Sequence, residues 1–183
     1  ALAQKDPTAS DPAALVGKSV AMQGLGALEF VLFGTGAEEL GSSTETYRCA
    51  YGSAITHNIA AVAATLDREW QDNSPDGARG HMLDPKPDRS DYRTPNEVLG
   101  KLTQALLLGS ETLRDQRISP ILGAFEGKPK PKSALFWRSG MTVPMLAADF
   151  GGLKDYFNAA RFPESVKGNL WISSGALFEF NNA

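Results

Sequence analysis

Glu29 is the residue of this chain whose type and surroundings most directly suggest chemistry. It lies in Ser19 to Gly34, SVAMQGLGALEFVLFG, which predicts a helix with apolar residues around most of its circumference. At about 100° per residue, Glu29 projects into the same sector as Leu15, Met22 and Phe33. A carboxylate placed there must find a cation, a metal ion or hydrogen-bond donors, or stay protonated.

Two glycines precede Glu29 in the same stretch. Gly24 and Gly26 each cost a helix about 0.8–1 kcal/mol relative to alanine, and they let another backbone or a ligand come close. Because they lie inside a predicted helix rather than in a strand-to-helix turn, a phosphate-binding loop is not expected. The pattern leaves two interpretations open, a ligand or metal site and a buried structural ion pair.

Composition excludes several classes of protein and of site. The chain has 18 Lys and Arg against 21 Asp and Glu, a net charge of −3, and no basic stripe that would indicate a nucleic-acid partner. It has neither an apolar run long enough to span a membrane nor a visible signal peptide in residues 1–11. A single cysteine, Cys49, and two histidines, His57 and His81, exclude an intrachain disulfide and Cys-rich or His-rich zinc sites. Any metal ion would therefore be held mainly by oxygen ligands.

Helix-start signals and apolar periodicity predict an all-α protein of about five helices in a bundle. Asp11-Pro12 predicts the start of the helix that carries Glu29, and capping boxes begin at Ser42 and Thr94. Ser139 is predicted to cap a later helix. Residues 72–93 have no periodicity and predict a long irregular loop. The predicted helices cover about 12–34, 43–71, 95–119, 141–160 and 163–180.

The longest predicted helix, 43–71, carries a core-facing stripe. Its apolar residues recur every three or four positions. Cys49, on the same helix, is expected to be a small buried hydrophobe. The stripe consists of Tyr47, Tyr51, Ile55, Ile59, Val62 and Leu66.

Residues 23–34, QGLGALEFVLFG, resemble the signature helix of the imelysin-like proteins. The resemblance continues at 48–51, RCAY, and at 136–140, FWRSG, in the same order along the chain. The family pattern is G-x-H-x-x-E. Gly24 matches its glycine and Glu29 its glutamate, whereas Gly26 stands in place of its histidine. The form Q-G-x-x-A-L-E is more similar to a predicted-lipoprotein branch of the family.

The resemblance implies an up-and-down helical bundle, with 1–183 as a single imelysin-like domain belonging to a two-bundle fold. The family has further helices on both sides of the matched region, so the chain is expected to be incomplete at both ends. It also implies a periplasmic or outer-surface location in the bacterial envelope, with a lipid anchor on the precursor. Iron-uptake components of the envelope would be the partners. Iron or a divalent metal would be the cofactor, with Glu29 as its ligand, and the family also carries a peptidase label.

Three hypotheses follow for the chain's activity. In the first, a non-enzymatic envelope protein binds a metal ion or a small polar ligand between helices, and arginines accompany the carboxylate. In the second, Glu29 is a metal ligand or general base of a metallopeptidase, which needs at least three metal ligands. In the third, Glu29 and an arginine form an internal ion pair and function lies on an outer surface. The site residues of the first hypothesis are Glu29, Gly24, Gly26, Arg48, Arg138 and Ser139.

Overall fold

The computed structural model describes residues 2–42, 46–124, 127–162 and 170–182. All regular structure in these ranges is helical, which confirms the predicted all-α class. The α-helices are α1 (Pro12–Leu15), α2 (Leu25–Phe33), α3 (Thr46–Gln71), α4 (Ala78–Leu83), α5 (Pro95–Glu111), α6 (Ser119–Leu122), α7 (Thr142–Ala159) and α8 (Leu170–Asn182). A π-helix spans Thr112–Ile118, and 3-10 turns span Leu2–Gln4, Pro7–Ala9, Val20–Met22, Ala37–Gly41 and Pro131–Ser133.

The chain divides into two compact units, Ala1–Asp84 and Pro85–Ala183. The first unit contains α1 to α4, and its core forms where α1 and α2 pack against the N-terminal half of α3. Leu15 and Ile55 are fully buried there, and Val31 is 1% exposed. The stretch that resembles the family signature therefore forms one wall of this core.

The helix predicted from Asp11 to Gly34 is broken into three pieces, so the prediction of one continuous helix was wrong. Asp11 does cap α1, accepting a hydrogen bond from the Ala13 N–H. The chain then leaves the helix and forms a 3-10 turn capped by Ser19 before α2 begins. Gly24, with an extended backbone, is the residue before α2. The break follows from the weak helix propensity of the glycines and from a serine that favours a new cap.

Helix α3 confirms the predicted apolar stripe only in its N-terminal half. Tyr51 is 4% exposed and Ile55 is buried, but Val62 and Leu66 are 52% and 66% exposed. The stripe therefore faces a core where α2 covers it and lies at the surface beyond that crossing. Cys49 is exposed, so its expected burial was wrong. The capping box predicted at Ser42 extends over residues 43–45, which lie outside the described residues.

The second unit begins with α5. Half of its predicted capping box is confirmed, because the Thr94 hydroxyl accepts a hydrogen bond from the Glu97 N–H at 3.3 Å. The Glu97 carboxylate accepts from the Arg93 N–H at 2.7 Å and not from that of Thr94. The predicted end before Pro120 was wrong, since the chain continues through the π-helix into α6. Proline is tolerated there because it occupies the first turn of α6. Gly123, with a left-handed φ of 73°, ends that helix.

Helices α7 and α8 complete the second unit. Phe157 of α7 is 8% exposed, and its ring centroid lies 5.4 Å from that of Phe180 on α8. The last helix was predicted over 163–180. Its first part, 163–169, lies outside the described residues, and α8 extends to Asn182. The predicted loop 72–93 contains α4.

Candidate functional site

Glu29 is buried on α2, with 7% of its surface exposed. Side chains on a helix tilt toward its N-terminus, so Glu29 leans over the turn that contains Gly26. Gly26 is exposed, and a Cβ built there would meet no heavy atom of the described residues within 4 Å, apart from the backbone of its own helix. The structure thus places open space one turn before a buried carboxylate.

The residues before α2 join it to α3. The Gln23 side chain donates to the carbonyl oxygen of Lys18 at 2.5 Å and accepts from the Asn58 amide at 2.8 Å. Asn58 is 8% exposed, and burying its amide without a hydrogen-bond partner would cost free energy of folding. Gln23 supplies that partner. Gln23 of the signature is therefore a structural link between the two helices. No side chain of the described residues caps α2 at Gly24.

A cavity of about 430 Å³ lies where the beginning of α2 meets α3. Its walls are mainly apolar and include Leu25 and Val62, while Gln23 and Asn58 contribute its polar part. Gly24 is also in its wall, but Gly26 and Glu29 are not among the lining residues. The space beside Gly26 is therefore separate from this cavity.

Arg48 of α3 binds the C-terminal end of α2. Its guanidinium donates to the carbonyl oxygen of Val31 at 3.0 Å and to that of Thr35 at 2.6 Å. Arg48 is 7% exposed, and the carbonyls at a helix end have no partner within the helix. Arg48 therefore caps α2 through charge-assisted hydrogen bonds, a role that its sequence position near Gly52 did not indicate.

Two glycines give Arg48 and α2 the room that this arrangement needs. Gly36 has a left-handed φ of 85°, and a Cβ there would lie 2.7 Å from an Arg48 guanidinium nitrogen. Gly52 faces α2, and a Cβ there would lie 3.1 Å from Val31 Cγ1. The helices approach closely because α3 has no side chain at this point.

Two tyrosines of α3 fix the N-terminal segment. The Tyr51 hydroxyl donates to the carbonyl oxygen of Met22 at 2.6 Å, and the Tyr47 hydroxyl donates to that of Asp6 at 2.7 Å. Burial raises the pKa of both phenols. The Asp6 carboxylate accepts from Thr8 and forms an ion pair with Lys18 at 3.1 Å, and these contacts lower its pKa to about 2. Sequence reasoning assigned the tyrosines to the core but gave no signal for these hydroxyl contacts.

Arg138 and Ser139 belong to the second unit and lie in the turn before α7. The Arg138 guanidinium lies 4.5 Å from the Trp137 ring centroid, close enough for a cation–π contact. The Ser139 hydroxyl donates to the carbonyl oxygen of Phe136 at 3.0 Å. Because α7 begins at Thr142 with Met141 before it, the prediction of Ser139 as the cap was wrong.

The family model of imelysin (peptidase M75) matches residues 1–170 of the chain. The match covers most of the chain. The chain belongs to the imelysin family. No curated protein and no solved structure matched it. The resemblance deduced from the signature helix and from the RCAY and FWRSG segments is confirmed.

The imelysin pattern implies a metal ion near Glu29, and the side chains that the structure describes do not form a centre that would hold one by protein ligands alone. The motif histidine is Gly26, whose backbone offers no imidazole. Among the described residues, no three His, Cys, Asp or Glu side chains group closely enough to hold a metal ion. His57 is exposed on α3 and His81 lies on α4. A zinc-type centre needs three or four protein ligands, and the described side chains do not supply such a set.

The structure also bears on the relation of the chain to a membrane. Within its described part, no helix combines the length and the apolar character that crossing a membrane requires.

Proposed function

We propose that this imelysin-family protein is a non-enzymatic protein of the bacterial envelope that binds a small cationic ligand at Glu29. One observation supports it above all: a carboxylate that is 7% exposed stands beside an exposed glycine with open space above it. In relatives that follow the family pattern, a histidine would occupy that space. In this chain Gly26 leaves that space open, and the proposed ligand would occupy it.

The charge of Glu29 favours a cation. A carboxylate in a partly dry environment interacts more strongly with a positive group than one in water does, because the effective dielectric constant is lower. Two sources share this chemistry, an organic ammonium or guanidinium group and a metal ion that keeps most of its own ligands. A metal ion of this kind would agree with the connection to iron that the family resemblance implies.

The peptidase label of the family is not part of the proposal. A metallopeptidase holds its metal with at least three protein ligands, and Gly26 removes one ligand that the family pattern provides. Hydrolysis of a peptide by the purified chain with added Zn²⁺, Fe²⁺ or Mn²⁺, abolished by Glu29→Gln, would contradict the non-enzymatic assignment.

The envelope location, the lipid anchor on the precursor and the iron-uptake partners follow from the resemblance and form part of the proposal. The inclusion of Arg138 and Ser139 in the same site stays a prediction. Arg48 contributes indirectly, because its hydrogen bonds to Val31 and Thr35 hold α2 in place.

A thermal-shift screen tests the proposal. The probes are Fe²⁺, Fe³⁺, Zn²⁺, Cu²⁺ and Ca²⁺ in one arm and putrescine, choline and guanidinium in the other. We expect at least one probe to raise the melting temperature of the wild type and not of Glu29→Gln, since a ligand stabilises the state that binds it. Glu39→Gln, which changes an exposed carboxylate of the Ala37–Gly41 turn, is the matched control and should behave as wild type.

A second candidate is a purely structural role for Glu29. It is favoured by the burial of both Glu29 and Arg48, each 7% exposed, on two helices that pack together. In that case Glu29→Gln should cost about 3–5 kcal/mol of stability, because it removes one partner of a buried ionic arrangement. Under the ligand proposal, the variant loses binding while stability changes little or increases.

A further inference from the structure

The second unit contains a cavity of about 500 Å³, open to solvent, between α7 and the segment where α5 passes into the π-helix; Asp149 and Gly152 in its wall are exposed. Its volume falls in the range of about 300–1,000 Å³ typical of small-ligand sites. The cavity lies entirely within one compact unit and is lined by described residues. Glu29, which belongs to the first unit, is not among its lining residues.

The π-helix brings polar and charged side chains to the same wall of this cavity. In an α-helix, residues five apart are rotated by about 140° from one another. In a π-helix the hydrogen bonds join residues five apart, as the Ser119 N–H does with the Arg114 carbonyl oxygen, so such residues stack. Thr112 and Arg117 are five apart, and both line the cavity. π-Helical turns are rare in proteins, and those that occur are often found at functional sites.

Glycines open the space between the two helices. Gly109 lets α5 approach α7, since a Cβ there would lie 2.7 Å from the Leu153 side chain. Gly152 has the opposite environment, because a Cβ there would meet no heavy atom of the described residues within 4 Å beyond its own helix backbone. The helices are therefore in contact at Gly109 and leave an opening at Gly152.

Opposite charges face this opening. Arg117 lines it from the π-helix and Asp149 from α7. Neither side chain forms a hydrogen bond or an ion pair with any residue that the structure describes. The neighbouring Arg114, by contrast, binds the Asp115 carboxylate through two hydrogen bonds of 2.7 and 2.8 Å. The same short segment thus contains one arginine that is paired with a carboxylate and one that lines the cavity.

We propose that this cavity binds a small zwitterion with an apolar side group, such as an apolar amino acid. Its anionic group binds the Arg117 guanidinium, whose planar donors match a carboxylate. Its ammonium group binds Asp149. Leucine side chains of the walls, Leu108, Leu113 and Leu153, contact the apolar group.

Calorimetric titration tests this proposal, with L-leucine as the zwitterion, hexanoate as the anion alone and hexylamine as the cation alone. Leucine should bind the wild type more tightly than either singly charged probe. Arg117→Gln should lower the affinity for leucine and hexanoate about tenfold or more, because it removes a charge-assisted hydrogen bond to the anionic group. Asp149→Asn should lower the affinity for leucine and hexylamine by a similar factor, because it removes the bond to the ammonium group. Gly152→Leu should abolish binding by filling the opening.

Matched controls separate the site from general effects on charge or folding. Arg114→Gln and Asp155→Asn change the same charges on the same elements outside the cavity, and leucine should bind them as it binds the wild type. Circular dichroism of every variant checks that the helices are intact. The proposal is overturned if leucine does not bind the wild type at millimolar concentration, or if both controls weaken binding as much as the cavity variants do.

Discussion

The contacts of Arg48 predict a large loss of stability when its side chain is removed. It is 7% exposed, and its guanidinium donates two short hydrogen bonds to the carbonyl oxygens of Val31 and Thr35. Replacing it with alanine removes these donors from the carbonyl oxygen of Val31, in the last turn of α2, and from that of Thr35, which follows the helix, and leaves a gap beside Gly36. We therefore expect Arg48→Ala to detach the C-terminal end of α2 from α3.

The magnitude follows from the two bonds. A hydrogen bond to a charged group contributes about 1.5–3 kcal/mol net, so losing two should destabilise the protein by about 3–6 kcal/mol. Arg48→Lys keeps the charge but has a single nitrogen, which cannot reproduce the planar fork of the guanidinium. It should lose about half as much, roughly 1.5–3 kcal/mol.

Urea unfolding followed by far-UV circular dichroism measures these differences in the free energy of unfolding. Arg68→Ala is the control, because Arg68 is exposed on the same helix and contacts only the Thr65 hydroxyl among the described residues, at 3.4 Å. Its change should stay within about 0.5 kcal/mol. If Arg48→Ala lost less than about 1 kcal/mol, the assignment of Arg48 as the cap of α2 would be refuted.

Three further predictions follow from single residues. The pKa of Asp6 is about 2 in the folded chain against 3.8 for the free side chain. The contribution of this carboxylate to stability is therefore complete above about pH 4 and is lost as the pH falls toward 2. Asp6→Asn should make the free energy of unfolding depend less on pH in that window. Gly36→Ala should destabilise by about 1–3 kcal/mol through its left-handed φ and the clash with Arg48, measured by urea unfolding. Gly26→Ala should stabilise by about 0.5–1 kcal/mol because its surroundings are open, whereas Gly52→Ala, tight against α2, should give no such gain in thermal unfolding.

Local signals in the sequence were read correctly where one side chain binds the backbone two or three residues away. Asp11 caps α1 and Thr94 caps α5, and both contacts depend only on neighbouring residues. The apolar stripe was correct at Tyr51 and Ile55, where α2 covers α3. It was wrong at Val62 and Leu66, because periodicity shows which face is apolar but not how far a partner helix extends.

Long-range contacts explain the features that the sequence did not predict. Two contacts stabilise the break before α2. The Tyr51 hydroxyl donates to the carbonyl oxygen of Met22, and the side-chain amides of Gln23 and Asn58 are hydrogen-bonded to each other. These residues are distant in sequence, and their meeting depends on the helix crossing near Gly52. The π-helix had no recognisable signal either, since its residues fit an ordinary helical pattern.

The candidate site was foreseen in part. The burial of Glu29 followed from its place among apolar residues, and an arginine near α2 was expected on charge grounds. The capping role of Arg48 was not foreseen, because helix-end carbonyls become its partners only after α2 and α3 have packed. The function of Glu29 stays a prediction, since charge and burial suit both a ligand site and an internal ion pair.

One measurement tests the assignment of Glu29 most directly: calorimetric titration of wild type and Glu29→Gln with Fe²⁺, Zn²⁺ and putrescine, together with the free energy of unfolding of both proteins. The ligand proposal predicts that at least one probe binds the wild type, that the variant binds it about tenfold more weakly or not at all, and that the variant loses less than about 1 kcal/mol of stability. Absence of binding to the wild type, with a loss of about 3–5 kcal/mol in the variant, would contradict it and assign Glu29 to the structure of the core.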